Sequence, residues 1–279
     1  MIAGRDESVR RAFSYAALGL VALLSLFPLY WLAISAFKSQ PQIFAVRPQL
    51  IPLPPNVANF RDVWRETPIA RAFVNSVVIA GSFVTLSLFL CSLAGYAFAK
   101  FPAAPGAKKL FGFVLATMLI PGAVTLIPNF LVMARLGLVN TYWSLILPGA
   151  AGAFGIFWMR QYIEAHVPDD LLHAARIDGC TEFEIYWRIV LPVCRPALAA
   201  LGVIQLIASW NNLLSAFIML RTPDMQTLPV LMYLLQGETR TPWGMLMAAG
   251  LLATLPLVIA FVMFQRQFIS GMTAGAIKQ

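Results

Sequence analysis

The chain has 279 residues, 59% hydrophobic and only 11% charged, with a formal charge of +8. A soluble domain ordinarily carries about 25% charged residues, so twelve acids and twenty bases are too few to clothe a water-facing surface. This excludes a disordered chain, an ordinary soluble enzyme and a disulfide scaffold, and points to an integral membrane protein whose excess bases flank membrane spans rather than bind nucleic acid.

Charge-free runs cover residues 12–37, 72–99, 110–134, 136–159, 196–220 and 241–265. Each exceeds the roughly 20 residues a helix needs to cross about 30 Å of hydrocarbon, and the runs are continuous rather than alternating, which disfavours a β-barrel. The expected fold is all-α with six transmembrane helices. The expected layout is an N-terminal segment 1–11, a membrane domain 12–265 with an inner loop 160–195, and a tail 266–279. The first run follows Arg5, Arg10 and Arg11 and is too long for a signal-peptide core, so it reads as an uncleaved span. With both ends inside, the inner segments hold twelve Lys and Arg and the outer segments eight, a modest bias of the right sign.

In the second run, Gly81, Ser82, Ser87, Ser92 and Gly95 suit close helix contact. Pro28, Pro121, Pro128, Pro148 and Pro256 interrupt spans. Pro121 with Gly122, just after Met118, is the best candidate for a break lining a cavity. The boundary between spans three and four rests on Arg135 and the turn-like Leu136-Gly137-Leu138-Val139-Asn140. Cys91, Cys180 and Cys194 show no C-x-x-C spacing and His166 and His173 lack paired cysteines, so no metal site is expected.

Between spans four and five lie six of the twelve acids: Glu164, Asp169, Asp170, Asp178, Glu182 and Glu184. Pro168-Asp169-Asp170 opens a helix, with acids at the positive end of its dipole. Gly179 is placed to end it in the left-handed conformation. Thr181-Glu182-Phe183-Glu184 reads as a capping box that starts a second helix, running to Pro192. Ala174 and Ala175 leave a low surface that another protein's groove can approach; an amphipathic hairpin lying on lipid head groups is the alternative.

Ala174-Ala175, Gly179, Ile189 and Leu191-Pro192 resemble the inner-loop signature of ABC importer permeases, and the extended form Ala174-Ala175-Arg176-Ile177-Asp178-Gly179 is similar to their sugar-importer branch. The likeness continues through Trp210-Asn211-Asn212, Thr227-Leu228-Pro229-Val230 and the tail Gly271-Met272-Thr273-Ala274-Gly275-Ala276-Ile277-Lys278, as in the second permease of maltose-type importers. His173 departs from the pattern, standing where the family has glutamate.

The resemblance implies a type I importer fold in a bacterial inner membrane, with a second permease subunit, a dimeric ATPase and an extracytoplasmic solute-binding protein as partners. It implies that His173, Ala174, Ala175, Asp178, Gly179, Ile189 and Pro192 belong to the element coupling the permease to the ATPase, and that Gly271, Thr273, Gly275 and Lys278 reach the ATPase. ATP and Mg would be bound by that partner, since this chain has no phosphate loop; Gly106-Ala107-Lys108-Lys109 lacks the first glycine and the hydroxyl. The solute would be a sugar or related polyol, with a non-sugar solute as the alternative.

Trp210, Asn211 and Asn212 supply the aromatic and amide mixture that binds sugars, yet amides in a span also pair with neighbouring helices. An ion-coupled secondary transporter would need intramembrane charges, which the six runs lack. An intramembrane enzyme would need a nucleophile and base inside a span.

Overall fold

The computed structural model describes residues 3–237 and 241–274, and among them all regular structure is helical. In chain order, α1 (Ala3–Ala36), α2 (Gln40–Ile43) and α3 (Ala58–Glu66) precede the long α4 (Ile69–Lys100). Then come α5 (Ala107–Thr117), α6 (Leu126–Arg135), α7 (Trp143–Ile146) and α8 (Ala153–His166). The loop after α8 forms a hairpin of α9 (Asp169–Ile177) and α10 (Glu182–Ile185), the latter continuing through a π turn, Tyr186–Val190, into α11 (Leu191–Val193). The chain proceeds through α12 (Arg195–Trp210), α13 (Leu213–Met219), α14 (Leu228–Leu234) and α15 (Trp243–Ala274).

Three stretches are long and apolar enough to cross a membrane as unbroken helices: Phe13–Ala36, Ile69–Lys100 and Trp243–Met263. They match the first, second and sixth charge-free runs. Pro28 and Pro256 sit inside these helices without ending them. The other three runs are not continuous helices, and each break has a local cause. Pro121 has no N–H for the carbonyl four residues back, at Thr117, where α5 ends. At the second break Gly149 follows Pro148 with φ +82°. At the third, the Asn211 side chain donates to the Ile207 carbonyl at 2.9 Å, and Asn212 caps α13 by accepting the Ser215 N–H.

The boundary after the third run is a Schellman cap. Leu138 N–H bonds the Met133 carbonyl and Gly137 N–H bonds that of Ala134, with Gly137 at φ +69°.

The chain divides into two compact units, residues 1–69 with 232–255, and residues 70–231 with 256–279. In the first, buried Asn59 donates to the carbonyls of Ala36 and Lys38 at 2.8 Å each, satisfying the end of α1. Lys38 is buried with its ammonium 4.0 Å over the Trp31 ring centroid, a cation–π contact.

In the second unit, one core gathers Met159 and Ile163 of α8, Leu172 of α9 and Tyr186 of the π turn around α4. The approach of α4 to α8 depends on glycine. A Cβ on Gly95 would lie 2.7 Å from Met159 Cβ and 2.9 Å from the Arg160 nitrogen, and one on Gly155 would lie 2.6 Å from Cys91 Sγ. Gly95 therefore fits the close-contact expectation, while a Cβ on Gly81 meets open space. A second core joins Ile79 of α4 to Met133, Leu145, Ile146 and Met219 from the broken segments.

Candidate functional site

The inner hairpin is built by its local signals. Pro168 precedes α9, and Asp169 and Asp170 occupy its first turn. At its end Cys180 N–H bonds the Ala175 carbonyl and Gly179 N–H that of Arg176, a second Schellman cap, with Gly179 at φ +85°. A Cβ there would meet open space within this chain, so the demand for glycine is conformational. The capping box is complete: Glu184 N–H donates to Thr181 Oγ1, and Thr181 N–H donates to Glu184 Oε2 at 3.0 Å.

The second helix runs through Pro192 as expected, but not with regular α geometry: the Leu191 N–H reaches back five residues to Tyr186, so the helix widens just before the proline that lacks an N–H. Beyond Cys194 the axis of α12 turns by 79°. One expectation needs correction: Ala174 and Ala175 do not form one low surface. Adjacent helix positions diverge by about 100°, so Ala174 is exposed while Ala175 is 6% exposed, packed inward with Leu172.

The outward face carries Leu171, Ala174 and Ile177, the last 87% exposed, and the second arm adds exposed Phe183 and Trp187. His173 and Asp178 are exposed, with His173 Nδ1 3.5 Å from Arg176 Nη1. Ile189 is half-buried and Pro192 exposed.

The inward side is bonded to α4. Lys100 Nζ donates to Asp169 Oδ1 at 2.7 Å and to the Val167 carbonyl at 2.6 Å. Tyr96 OH donates to Glu182 Oε2 at 2.7 Å, and Arg176 Nε donates to Glu182 Oε1 at 2.6 Å. Ser92 Oγ and Tyr186 OH are 2.8 Å apart. The Arg176 hydrogen bond, chiefly, holds the Glu182 carboxyl below the usual glutamate range, and Lys100 does the same for Asp169. The sequence reading missed Tyr96 and Lys100; their polar heads at the end of a long apolar run were the available signal.

The helix breaks make a second site. A cavity of about 240 Å³ is lined by Thr125, Asn129, Ser144, Asn212 and Ser215, with Gly122 among the remaining lining residues. None of its lining residues is ionisable. Of the expected pathway residues Asn212 lines it, as does Gly122 of the expected Pro121-Gly122 break. Met118 and Pro121 are exposed beside it in sequence, Asn211 is spent on the α12 terminus, and Trp210 is 5% exposed with its ring edge-on to Phe73.

Two further asparagines hold the surrounding loops. Buried Asn75 donates to the carbonyls of Asp224 and Gln226 and accepts from Tyr142 OH; Asn140 Oδ1 accepts the backbone N–H groups of Arg221 and Thr222.

Of the tail residues, Gly271 and Thr273 belong to the backbone of α15, whereas Gly275 and Lys278 lie outside the described residues. Among the described residues no group of three His, Cys, Asp or Glu is placed to hold a metal.

Residues 92–274 match the family described as binding-protein-dependent transport system inner membrane component. The chain is 37% identical over 261 residues to the arabinooligosaccharides transport system permease protein AraQ of Halalkalibacterium halodurans, covering 92% of this chain and 93% of that one. It is 36% identical over 265 residues to the lactose transport system permease protein LacG of Rhizobium radiobacter, covering 95% of each. Its fold is similar to a chain in the crystal structure of a bacterial ABC transporter that imports the acidic polysaccharide alginate, with a TM-score of 0.83, 23% identity, and coverage of 95% and 98%. Helical in all its described regular structure, matched over residues 92–274 and more than a third identical to permeases along nearly its whole length, the chain belongs to the inner-membrane permease components of binding-protein-dependent ABC importers.

Proposed function

We propose that this chain forms half of the translocation pathway of an ATP-driven importer for a neutral oligosaccharide or related polyol, and that its inner hairpin docks on a separate ATPase. In this reading six spans cross the membrane with both termini inside: α1, α4, α5 with α6, α7 with α8, α12 with α13, and α15. A companion permease completes the pathway, a dimeric ATPase binds ATP and Mg beneath it, and an extracytoplasmic receptor delivers solute. Gly271, Thr273, Gly275 and Lys278 of the tail contact the ATPase.

The observation that carries this reading is the two-sided hairpin. One side is hydrogen-bonded to α4, and Leu171, Ala174, Ile177, Phe183 and Trp187 are left exposed among the described residues. Exposed apolar groups on a rigid, capped element suit a protein groove. His173, Asp178 and Gly179 border that surface, with Ile189 and Pro192 on the second arm.

The cavity supports the solute class. Its hydroxyls and amides match sugar hydroxyls, and its lack of charge gives an ion-coupled transporter nothing to couple through. The names of the relatives point to the same class.

Reconstitution tests the proposal. Vesicles holding this chain, its companion permease and the ATPase should import a radiolabelled oligosaccharide only with ATP and receptor. Uptake by this chain alone, driven by a proton gradient, would overturn it.

A further inference from the structure

The inner end of α4 carries Ser92, Tyr96 and Lys100 at a spacing of four residues, which an α-helix places on one face. Each meets a different part of the hairpin. Lys100 holds the start of α9 through Asp169 and the Val167 carbonyl; Tyr96 holds Glu182, the first residue of α10; Ser92 meets Tyr186, the first residue of the π turn. Glu182 also takes Arg176 from α9, so one carboxylate ties both arms of the hairpin to α4.

Tyr96 and Tyr186 are buried, with ring centroids 5.9 Å apart, so two of the three rungs are partly shielded from competing water.

Apolar packing alone would not fix the register of this contact. Burial of Leu172, Ile185 and Tyr186 is favourable but non-directional, and a hairpin held that way can rock on α4. Hydrogen bonds with charged partners have narrow geometry and resist such sliding.

We propose that Ser92, Tyr96 and Lys100 are positioning residues that lock the hairpin to α4, so that displacement of the hairpin moves α4 as a rigid body instead of being absorbed at the contact. The proposal rests on the reading of the hairpin as the ATPase-docking element. The predicted fault in a broken lock is slippage: the ATPase still binds and hydrolyses ATP, but fewer cycles move solute.

The test uses the full complex of this chain, companion permease, ATPase and receptor in proteoliposomes, comparing Tyr96→Phe, Glu182→Gln and the double variant. Two quantities are read: the ATPase retained on purification, and the ATP hydrolysed per solute imported. Retention should match the unaltered complex. The ATP-to-solute ratio should rise roughly three- to tenfold in each single variant, with the double variant less than additive because both changes act on the shared Tyr96–Glu182 bond.

An unchanged ratio in both single variants would overturn the lock. So would loss of the ATPase in Tyr96→Phe, which would make the bond part of the docking shape. Gly179→Asp, measured alongside, reports on docking alone: if it keeps the ATPase and imports normally, the docking reading fails whatever the ratio does in the others.

Discussion

The inner hairpin and the broken central segments solve opposite problems within one unit of the chain. The hairpin is charged, capped at each turn and bonded to α4 by Lys100, Tyr96 and Ser92. The central runs 110–134, 136–159 and 196–220 are free of charge and stop short of full helices, leaving backbone ends and small polar side chains around a cavity of about 240 Å³. On the proposed function, hydrogen bonds are concentrated where force enters and neutral polarity where solute passes. In hydrocarbon a broken helix is tolerated only where its freed groups are buried in protein or line a cavity, so the breaks are themselves a reason to expect a path.

The sharpest way to break this contrast is to spoil the contact on which the hairpin's platform stands. Gly95→Val places carbon against Met159 Cβ and the Arg160 backbone, overpacking that should cost roughly 3 kcal/mol or more because backbone cannot move aside. Little folded protein should survive size-exclusion chromatography. Gly81→Val meets open space within this chain and should leave the monodisperse peak unchanged.

The cavity offers a smaller effect. Asn212→Ala removes the cap of α13, about 1 kcal/mol, and a lining amide. Asn129→Ala removes only the lining amide. Both should raise the solute concentration needed for half-maximal uptake several-fold while leaving ATPase retention unchanged. Unaltered uptake in both would remove the cavity from the path.

Acid should loosen the hairpin before it touches the spans. Glu182 and Asp169 have carboxyls held below their usual values by Arg176 and Lys100. A carboxyl whose folded pKa is depressed contributes stability above its unfolded pKa and loses it as pH falls through the folded one. The protection of amides across residues 169–186, corrected for the intrinsic pH dependence of exchange, should therefore be flat from neutrality to about pH 5 and fall below about pH 4. The same onset in the cavity segments would mean that the pairs are not its cause.

The smallest effect is expected at His173. It is exposed, with Nδ1 3.5 Å from Arg176 Nη1, so His173→Glu keeps a partner for that guanidinium. Transport within about twofold of the unaltered protein is the prediction, read from initial uptake rates.

What could be read from the residues follows the same division. The hairpin was legible because its signals are local: acids after Pro168, glycine at a left-handed position, and Thr181 three residues before Glu184 all act within one turn of chain. Unbroken helices were legible where an apolar run met no obstacle, and even Pro28 and Pro256 did not stop them. The middle runs misled because hydropathy counts residues and not hydrogen bonds. Pro121, Gly149 and Asn211 each end a helix inside an apolar run without adding charge. Ala175 misled for a different reason: a sequence neighbour of an exposed residue lies on another face of the helix. The lock on α4 was out of reach, since Tyr96 and Glu182 are 86 positions apart and no local pattern links them.

The central claim is that the outward face of the hairpin is where an ATPase engages this permease, and Gly179→Asp in the assembled importer tests it most directly. The change adds a side chain at φ +85°, which costs roughly 1–2 kcal/mol, and puts a carboxylate beside the exposed Ile177 surface, where desolvation on docking adds to the cost. The measurement is ATPase co-purification together with solute uptake. The account predicts that both fall by one to two decades while the permease pair still inserts and associates; a Gly179→Asp complex that keeps its ATPase and imports normally would contradict it.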